Sequence, residues 1–123
     1  MEEKDSFSCY ETVKDRNGKK HKIYSVMVND RFTVAKFMET YNPDLLFMRF
    51  IQPVIDSDGI EEIDANGDPV YDSEPVDDLL EIIDLALDKR ESREEILKWL
   101  DIDTANEIIF RFARMSQLKK KLT

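Results

Sequence analysis

Residues 75–118 read PVDDLLEIIDLALDKRESREEILKWLDIDTANEIIFRFARMSQL, and they carry the clearest helical pattern in the chain. Pro75 suits the first turn of a helix, because the N–H that proline lacks would have no partner there. Apolar residues recur behind it at spacings of three and four, which places them on one helical face. They are Val76, Leu79, Leu80, Ile83 and Leu87. The first helix is predicted to end near Lys89 or Arg90, whose charges suit the C-terminal end of the helix dipole.

A second helix is predicted directly after the first. Ser92 and Glu95 have the spacing of a capping box, in which the two side chains satisfy unpaired backbone N–H groups. The apolar residues that follow are Ile96, Leu97, Trp99 and Leu100. We expect Trp99, the single tryptophan, to anchor the core or a helix–helix contact, with a ligand or partner contact as the alternative.

A third helix is predicted to begin at Asp103 or Thr104, because Thr104 and Glu107 repeat the capping-box spacing. Its apolar stripe consists of Ala105, Ile108, Ile109, Phe112 and Met115. Three helices joined by tight connections indicate antiparallel neighbours.

The N-terminal part of the chain has the pattern of a β-hairpin. Residues 7–15 and 20–28 alternate as strands do and flank Asn17-Gly18, a pair that favours the positive φ angles of tight hairpin turns. The second arm is rich in lysine, and we expect Lys14, Lys19, Lys20 and Lys22 to form a solvated edge that discourages pairing with other strands. His21, the single histidine, is predicted to lie in that edge.

Two helices are predicted between the hairpin and the C-terminal helices. Residues 31–41 carry apolar side chains every three positions, which favours a helix; a third strand after a turn at Asn29-Asp30 is the alternative. Asn42 suits a helix cap and Pro43 the first helical position, so residues 42–54 are predicted to form the next helix. That helix is apolar almost all round, and we expect it to be central to the core or part of an oligomer contact.

Residues 56–74 are acidic and rich in turn-forming residues, and they are predicted to form a loop or a small hairpin around Asn66-Gly67. We expect no internal repeat. Residues 64–68 match the first five positions of a calcium-binding loop, but Pro69 and Pro75 occupy the positions that need glycine and glutamate. An acidic turn is therefore favoured over a calcium contact.

The composition favours a single α+β domain over residues 1–123, with residues 1–6 as a mobile tail. We predict an N-terminal β-hairpin, or small antiparallel sheet, packed on about four to five helices, with a mostly helical C-terminal half. The net charge of −9 argues against binding to nucleic acid or to an anionic membrane, and suits a basic partner surface. With one cysteine, no long apolar run and no signal-peptide pattern, a cytoplasmic location is predicted.

No set of residues with catalytic spacing stands out. Cys9 and His21 are the single cysteine–histidine combination, and nothing in the sequence orients them. The three glycines fit no phosphate-binding loop, and no pair of carboxylates is singled out for acid–base chemistry. We predict no enzyme activity, no cofactor and no metal site.

The layout of hairpin, apolar helix at 42–54, acidic insertion and closing helices around residues 107–112 resembles the tail assembly chaperones of long-tailed bacteriophages and related prophages. The resemblance implies a protein that binds the tape measure protein, recruits tail tube protein and acts in the cytoplasm of a bacterial host. It also implies a longer frameshifted form, for which the Lys119-Lys120-Lys121 run would suit a slippery run of adenines.

The sequence predicts that the chain contacts a partner protein, and it leaves open that the chain forms a homo-oligomer. The candidate contact residues are Phe47, Met48, Phe50, Trp99 and Phe110, each of which has a place in the core as its alternative. A charge at Phe110, off the main apolar stripe, is expected to weaken client binding without unfolding the domain. The alternative function is an acidic inhibitor, or decoy, that binds a basic nucleic-acid-handling enzyme.

Overall fold

The computed structural model describes residues 10–116, which form a two-stranded antiparallel sheet and five α-helices. The elements are β1 (Tyr10–Lys14), β2 (Lys20–Tyr24), α1 (Arg31–Thr40), α2 (Leu46–Phe50), α3 (Glu74–Ala86), α4 (Arg93–Trp99) and α5 (Ile102–Met115). Short 3-10 turns at Val28–Asp30 and Pro43–Leu45 precede α1 and α2. The predicted α+β class, hairpin and helical C-terminal half are confirmed. The predicted tail at residues 1–6, Cys9 and the lysine run at 119–121 lie outside the described residues.

Helices α3 and α5 are the centre of the packing. Helix α5 contacts both strands and α3, while α1, α2 and α4 each pack on α3. The largest fully buried side chains come from these contacts, and they are Ile23, Val34, Ile82, Ile83, Ile96, Ile108, Ile109 and Phe112. The amphipathic stripes predicted for the C-terminal helices therefore build the core.

The β1–β2 turn is built on Asp15. Its N–H donates to the Lys19 carbonyl at 2.9 Å, and its Oδ1 accepts from the N–H groups of Asn17 at 2.8 Å and Lys19 at 3.1 Å. Among the turn residues only Gly18 has a positive φ, at 85°. The predicted hairpin is confirmed, but the turn is longer than the two-residue type, which would need positive φ at both Asn17 and Gly18.

Side-chain caps set the first residues of α4 and α5, and the cap of α5 differs from the prediction. The Ser92 hydroxyl accepts from the Glu95 N–H at 3.2 Å and caps α4 as expected. Helix α5 begins earlier than predicted, because Asp101 Oδ1 accepts from the Thr104 N–H at 2.7 Å. Thr104 is buried inside the helix, so the capping role predicted for it was wrong. The same bond from Thr104 lowers the pKa of the Asp101 carboxyl below its ordinary value.

The helix predicted over residues 31–41 is present as α1 (Arg31–Thr40), and the strand alternative is wrong. The helix predicted over 42–54 is much shorter. Asn42 caps the 3-10 turn by accepting from the Asp44 N–H, but α2 ends at Phe50 and buries Leu46 alone. The predicted central place in the core is therefore wrong. The physical reason is that the backbone around Pro53 pairs instead with residues 70–72.

Residues 53–72 form a closed unit built from an eight-residue repeat, and the expectation of no internal repeat was wrong. The repeats begin at residues 53, 61 and 69 and read PVIDSDGI, EEIDANGD and PVYDSEPV. The fourth residue of each is an aspartate, Asp56, Asp64 or Asp72, whose Oδ1 accepts a backbone N–H two residues later. Asp56 and Asp64 each accept a second bond and build the same turn as Asp15.

Three backbone hydrogen bonds close the repeats into a ring, and we call residues 53–72 the threefold unit. The N–H of Val54 donates to the carbonyl of Val70 at 2.8 Å, Val70 to Glu62 at 3.1 Å, and Glu62 to Val54 at 2.9 Å. A further hydrogen bond, from the Asp72 N–H to the Gln52 carbonyl at 2.8 Å, holds the two ends of the unit together. The predicted small hairpin is therefore one side of a triangular sheet.

Tyr41 fixes the end of α1 against α5 and makes the fold sensitive to alkali. Its hydroxyl donates to Oδ1 of Asn106, and burial raises the pKa of Tyr41 from 10.0 to about 12. A folded-state pKa above the unfolded value stabilises the fold fully below pH 10 and loses that contribution as pH rises toward 12. We expect the free energy of unfolding to fall less between pH 9.5 and 11.5 in Tyr41→Phe, measured by urea denaturation. Equal losses in both proteins would contradict this assignment.

Candidate partner-binding surfaces

His21 lies in a buried polar cluster, which corrects the prediction that it occupies a solvated edge. Its Nε2 lies 2.8 Å from Oδ2 of Asp15, and its Nδ1 lies 3.0 Å from Oε2 of Glu91. The ring stacks on Trp99 with centroids 3.8 Å apart, and the indole N–H of Trp99 donates to Oε1 of Glu91 at 2.9 Å. Sequence reasoning missed this cluster because His21 alternates with exposed lysines on β2.

The geometry of the cluster indicates a structural role for His21. Both ring nitrogens lie within hydrogen-bonding distance of carboxyl oxygens, so the ring is held from two sides. The hydrogen bond from His21 holds the pKa of Asp15 below its ordinary value of 3.8, against the opposing effect of burial. With the side chain of His21 only 1% exposed, no substrate reaches the ring in this conformation. Cys9, its suggested catalytic partner, lies outside the described residues.

The five residues predicted to contact a partner are exposed, half-buried or buried. Phe47, Met48 and Phe110 are more than half exposed, at 55%, 56% and 60%. Phe50 is half-buried against the core. Trp99 is buried in the His21 cluster, so its predicted role as a partner contact is corrected to the core anchor that was its alternative.

A first apolar surface covers the outward side of α2, and we call it the α2 face. It comprises Leu45, Phe47, Met48 and Ile51. A five-residue helix with a single buried residue has little packing to fix it, and yet it carries two large exposed side chains. Exposed apolar clusters of this kind mark interaction sites in folded proteins.

A second apolar surface lies on the threefold unit, and we call it the bridge face. Antiparallel bridges pair Pro53 with Tyr71, Ile55 with Glu61, and Ile63 with Pro69. Side chains at bridge partners, and at alternate residues of a strand, share one face of a sheet. The six paired residues therefore lie on the same face, and five of them are apolar. Val54 and Val70 alternate with them and are half-buried on the opposite face.

A groove of about 520 Å³ runs between α1 and α3. Its lining includes the cations Lys36 and Arg49, the apolar side chains of Phe37 and Ile82, and four carboxylates, which are Glu39, Glu74, Asp78 and Glu81. The carboxylates outnumber the cations, so the charge of the groove disfavours an anionic ligand. Within residues 10–116 no group of three or more potential metal ligands occurs.

Comparison of the chain with protein-family models, with curated proteins and with solved structures finds no match. Among the helices of the described part of the chain, none has the length and apolar character needed to cross a membrane.

Proposed function

We propose that this chain is a non-enzymatic protein-binding module that covers an apolar client surface through its α2 face. The observation that carries the proposal is the exposure of Phe47 and Met48 on a helix that buries Leu46 alone. Apolar side chains that stay in water contribute no burial free energy to the free protein, and a partner that covers them gains the hydrophobic free energy of their burial.

The specific form of the proposal is a phage tail assembly chaperone acting in the bacterial cytoplasm. Its client would be the tape measure protein, and its second partner would be tail tube protein. The hairpin, the acidic insertion and the closing helices of the resembling layout support this assignment, as do the small α+β fold and the α2 face, although the helix predicted over 42–54 is shorter than that layout implies. The mechanism is physical: the module covers apolar helices of the client, keeps them from associating with one another, and is displaced on assembly.

The test is co-expression of the full chain with the tape measure protein of a long-tailed phage, the client that the proposal names. We expect the client to co-purify with the wild-type chain, and the double variant Phe47→Glu, Met48→Glu to recover about tenfold less client, because each glutamate would be desolvated at the contact. Phe110→Glu extends the test to the exposed ring on α5, which has the Arg114 guanidinium 5.5 Å from its centroid.

Leu97→Glu is the matched control, since Leu97 is 57% exposed on α4 and lies outside both surfaces. Full recovery of client by the double variant would remove the α2 face from the contact. Sedimentation of the chain alone distinguishes a client surface from a homo-oligomer contact, which the same variants would dissociate.

The coding DNA supplies a second test. A run of adenines at Lys119-Lys120-Lys121, followed by an open overlapping frame, would support the tail-chaperone assignment. Mixed lysine codons without such a frame would remove this support and leave the protein-binding role to the client experiment.

The alternative function, an acidic decoy for a basic nucleic-acid-handling enzyme, is favoured by the charge distribution. Seven of the 27 acidic residues and none of the 18 basic residues lie within 53–72. A decoy would compete with nucleic acid for its enzyme and would lose affinity steeply with salt. A chaperone that binds through the α2 face would retain its client at high salt, because hydrophobic association is not screened.

A further inference from the structure

We infer that the bridge face of the threefold unit is a second docking surface, and that its occupant is a protein segment with apolar side chains flanked by lysine or arginine. The inference goes beyond the α2 face, and the two surfaces are separable by substitution. It rests on three features of the unit: a fixed backbone, an uncovered apolar face and an acidic surround.

The backbone of the unit is held in place despite its lack of long strands. The ring of hydrogen bonds through Val54, Glu62 and Val70 leaves each of the three residues both donating and accepting. Aspartate side chains at the corners then satisfy the turn N–H groups. The two glycines at the corners, Gly59 and Gly67, have φ angles of 80° and 84°, which the turn requires and other residues adopt at a cost.

The apolar side chains of the bridge face remain in water. Ile55, Ile63 and Tyr71 occupy the third position of the three repeats. Their side chains are 57%, 64% and 49% exposed. Side chains of residues paired in these bridges stand close together, so the six residues make a continuous surface. The opposite face of the unit carries the half-buried Val54 and Val70, so the more exposed apolar side chains are those of the bridge face.

Charge complementarity decides the occupant. The unit carries seven carboxylates and no cation, whereas the rest of the chain holds 20 acidic and 18 basic residues and is close to neutral. Nucleic acid would be repelled, and a second copy presenting the same face would bring like charges together. A segment with basic residues around apolar ones would both cover the isoleucines and neutralise the surround.

The test uses the full chain and three synthetic peptides of equal length. One alternates leucine with lysine, the second replaces lysine by glutamate, and the third replaces leucine by serine. We expect the leucine–lysine peptide to bind, and the other two to bind at least about tenfold more weakly, because each lacks one of the two complementary features. Raising the salt concentration should weaken binding without abolishing it.

Matched variants locate the site. Ile63→Glu places a charge on the bridge face, and Tyr71→Glu does so independently in another repeat. Ile60→Glu adds the same charge at a residue that is 63% exposed but alternates with Glu61, and so lies off that face. We expect the two face variants to lose about tenfold in affinity and the Ile60 variant to stay within about twofold of wild type. Thermal melting of each variant confirms that the fold is retained.

Four results would overturn the inference. The first is no binding of the leucine–lysine peptide, and the second is equal binding of the serine–lysine peptide, which would indicate charge alone. The third is equal affinity of the Ile60 and Ile63 variants. The fourth is loss of peptide binding only in the double variant Phe47→Glu, Met48→Glu, which would move the peptide site to the α2 face and leave the proposed function intact. A failed client experiment with peptide binding retained would contradict the proposed function and leave this inference intact.

Discussion

Replacing Phe112 by alanine is expected to lower the free energy of unfolding by about 4 kcal/mol, as truncation of a fully buried aromatic ring does. The ring is 1% exposed on α5, the helix that contacts both strands and α3. Truncation removes its buried apolar area and leaves a cavity between elements that cannot all close on it. Urea denaturation followed by circular dichroism measures the change.

Phe110→Ala is the matched control, because Phe110 is the same residue type on the same helix but is 60% exposed. We expect it to cost about 0.5 kcal/mol or less, as surface substitutions do. Similar losses at both positions would mean that α5 does not form the centre of the core. Retained stability in Phe112→Ala would have the same meaning.

Replacing His21 by leucine is expected to destabilise the fold by about 3 kcal/mol, although leucine is the more hydrophobic residue. The reason is that the carboxyl groups of Asp15 and Glu91, which lie 2.8 Å and 3.0 Å from the ring nitrogens of His21, lose their polar partner. The loss also removes the stacked partner of Trp99. Lys20→Leu, at an exposed residue of the same strand, is the control and should stay within about 0.5 kcal/mol of wild type.

The pH dependence of the free energy of unfolding, compared between wild type and His21→Leu, distinguishes the contribution of the charged contact from that of packing. Because the folded-state pKa of Asp15 lies below 3.8, the contribution of this carboxylate is present above that pH and is lost as pH falls through the folded value. The gap in stability between wild type and His21→Leu should therefore narrow below about pH 4. A gap that stays constant with pH would indicate that His21 acts by shape alone.

Much of the fold follows from local sequence, because the C-terminal helices carry both apolar stripes and caps. Ser92 predicts where α4 begins. The apolar stripe through Ile108 and Phe112 predicts both that α5 is a helix and which of its faces is buried. The start of α5 was misplaced because Asp101 and Thr104 both suit a cap, and only the packing that buries Thr104 decides between them.

The candidate surfaces were less predictable, since exposure depends on long-range contacts. The apolar run at 42–54 has the sequence pattern of a core helix. In the structure residues 52–54 pair with residues 70–72, so the helix is shorter and Phe47 and Met48 are exposed to solvent. His21 depends on Glu91, which lies 70 residues later in the chain. The repeat at 53–72 was visible in the eight-residue spacing of Asp56, Asp64 and Asp72, and a search for short periods would have found it.

The closure of the threefold unit also changes how the helices are joined. Gln52 and Asp72 are hydrogen-bonded neighbours, so the chain leaves α2 and returns to α3 at almost the same place. For the two helices, the intervening residues act as a very short connection, and their number adds little to the distance that must be spanned. The segment is thus an insertion whose two ends are adjacent, so it does not separate the helices that it joins. Its length and surface chemistry can diverge between related proteins while the register of the helical framework stays fixed.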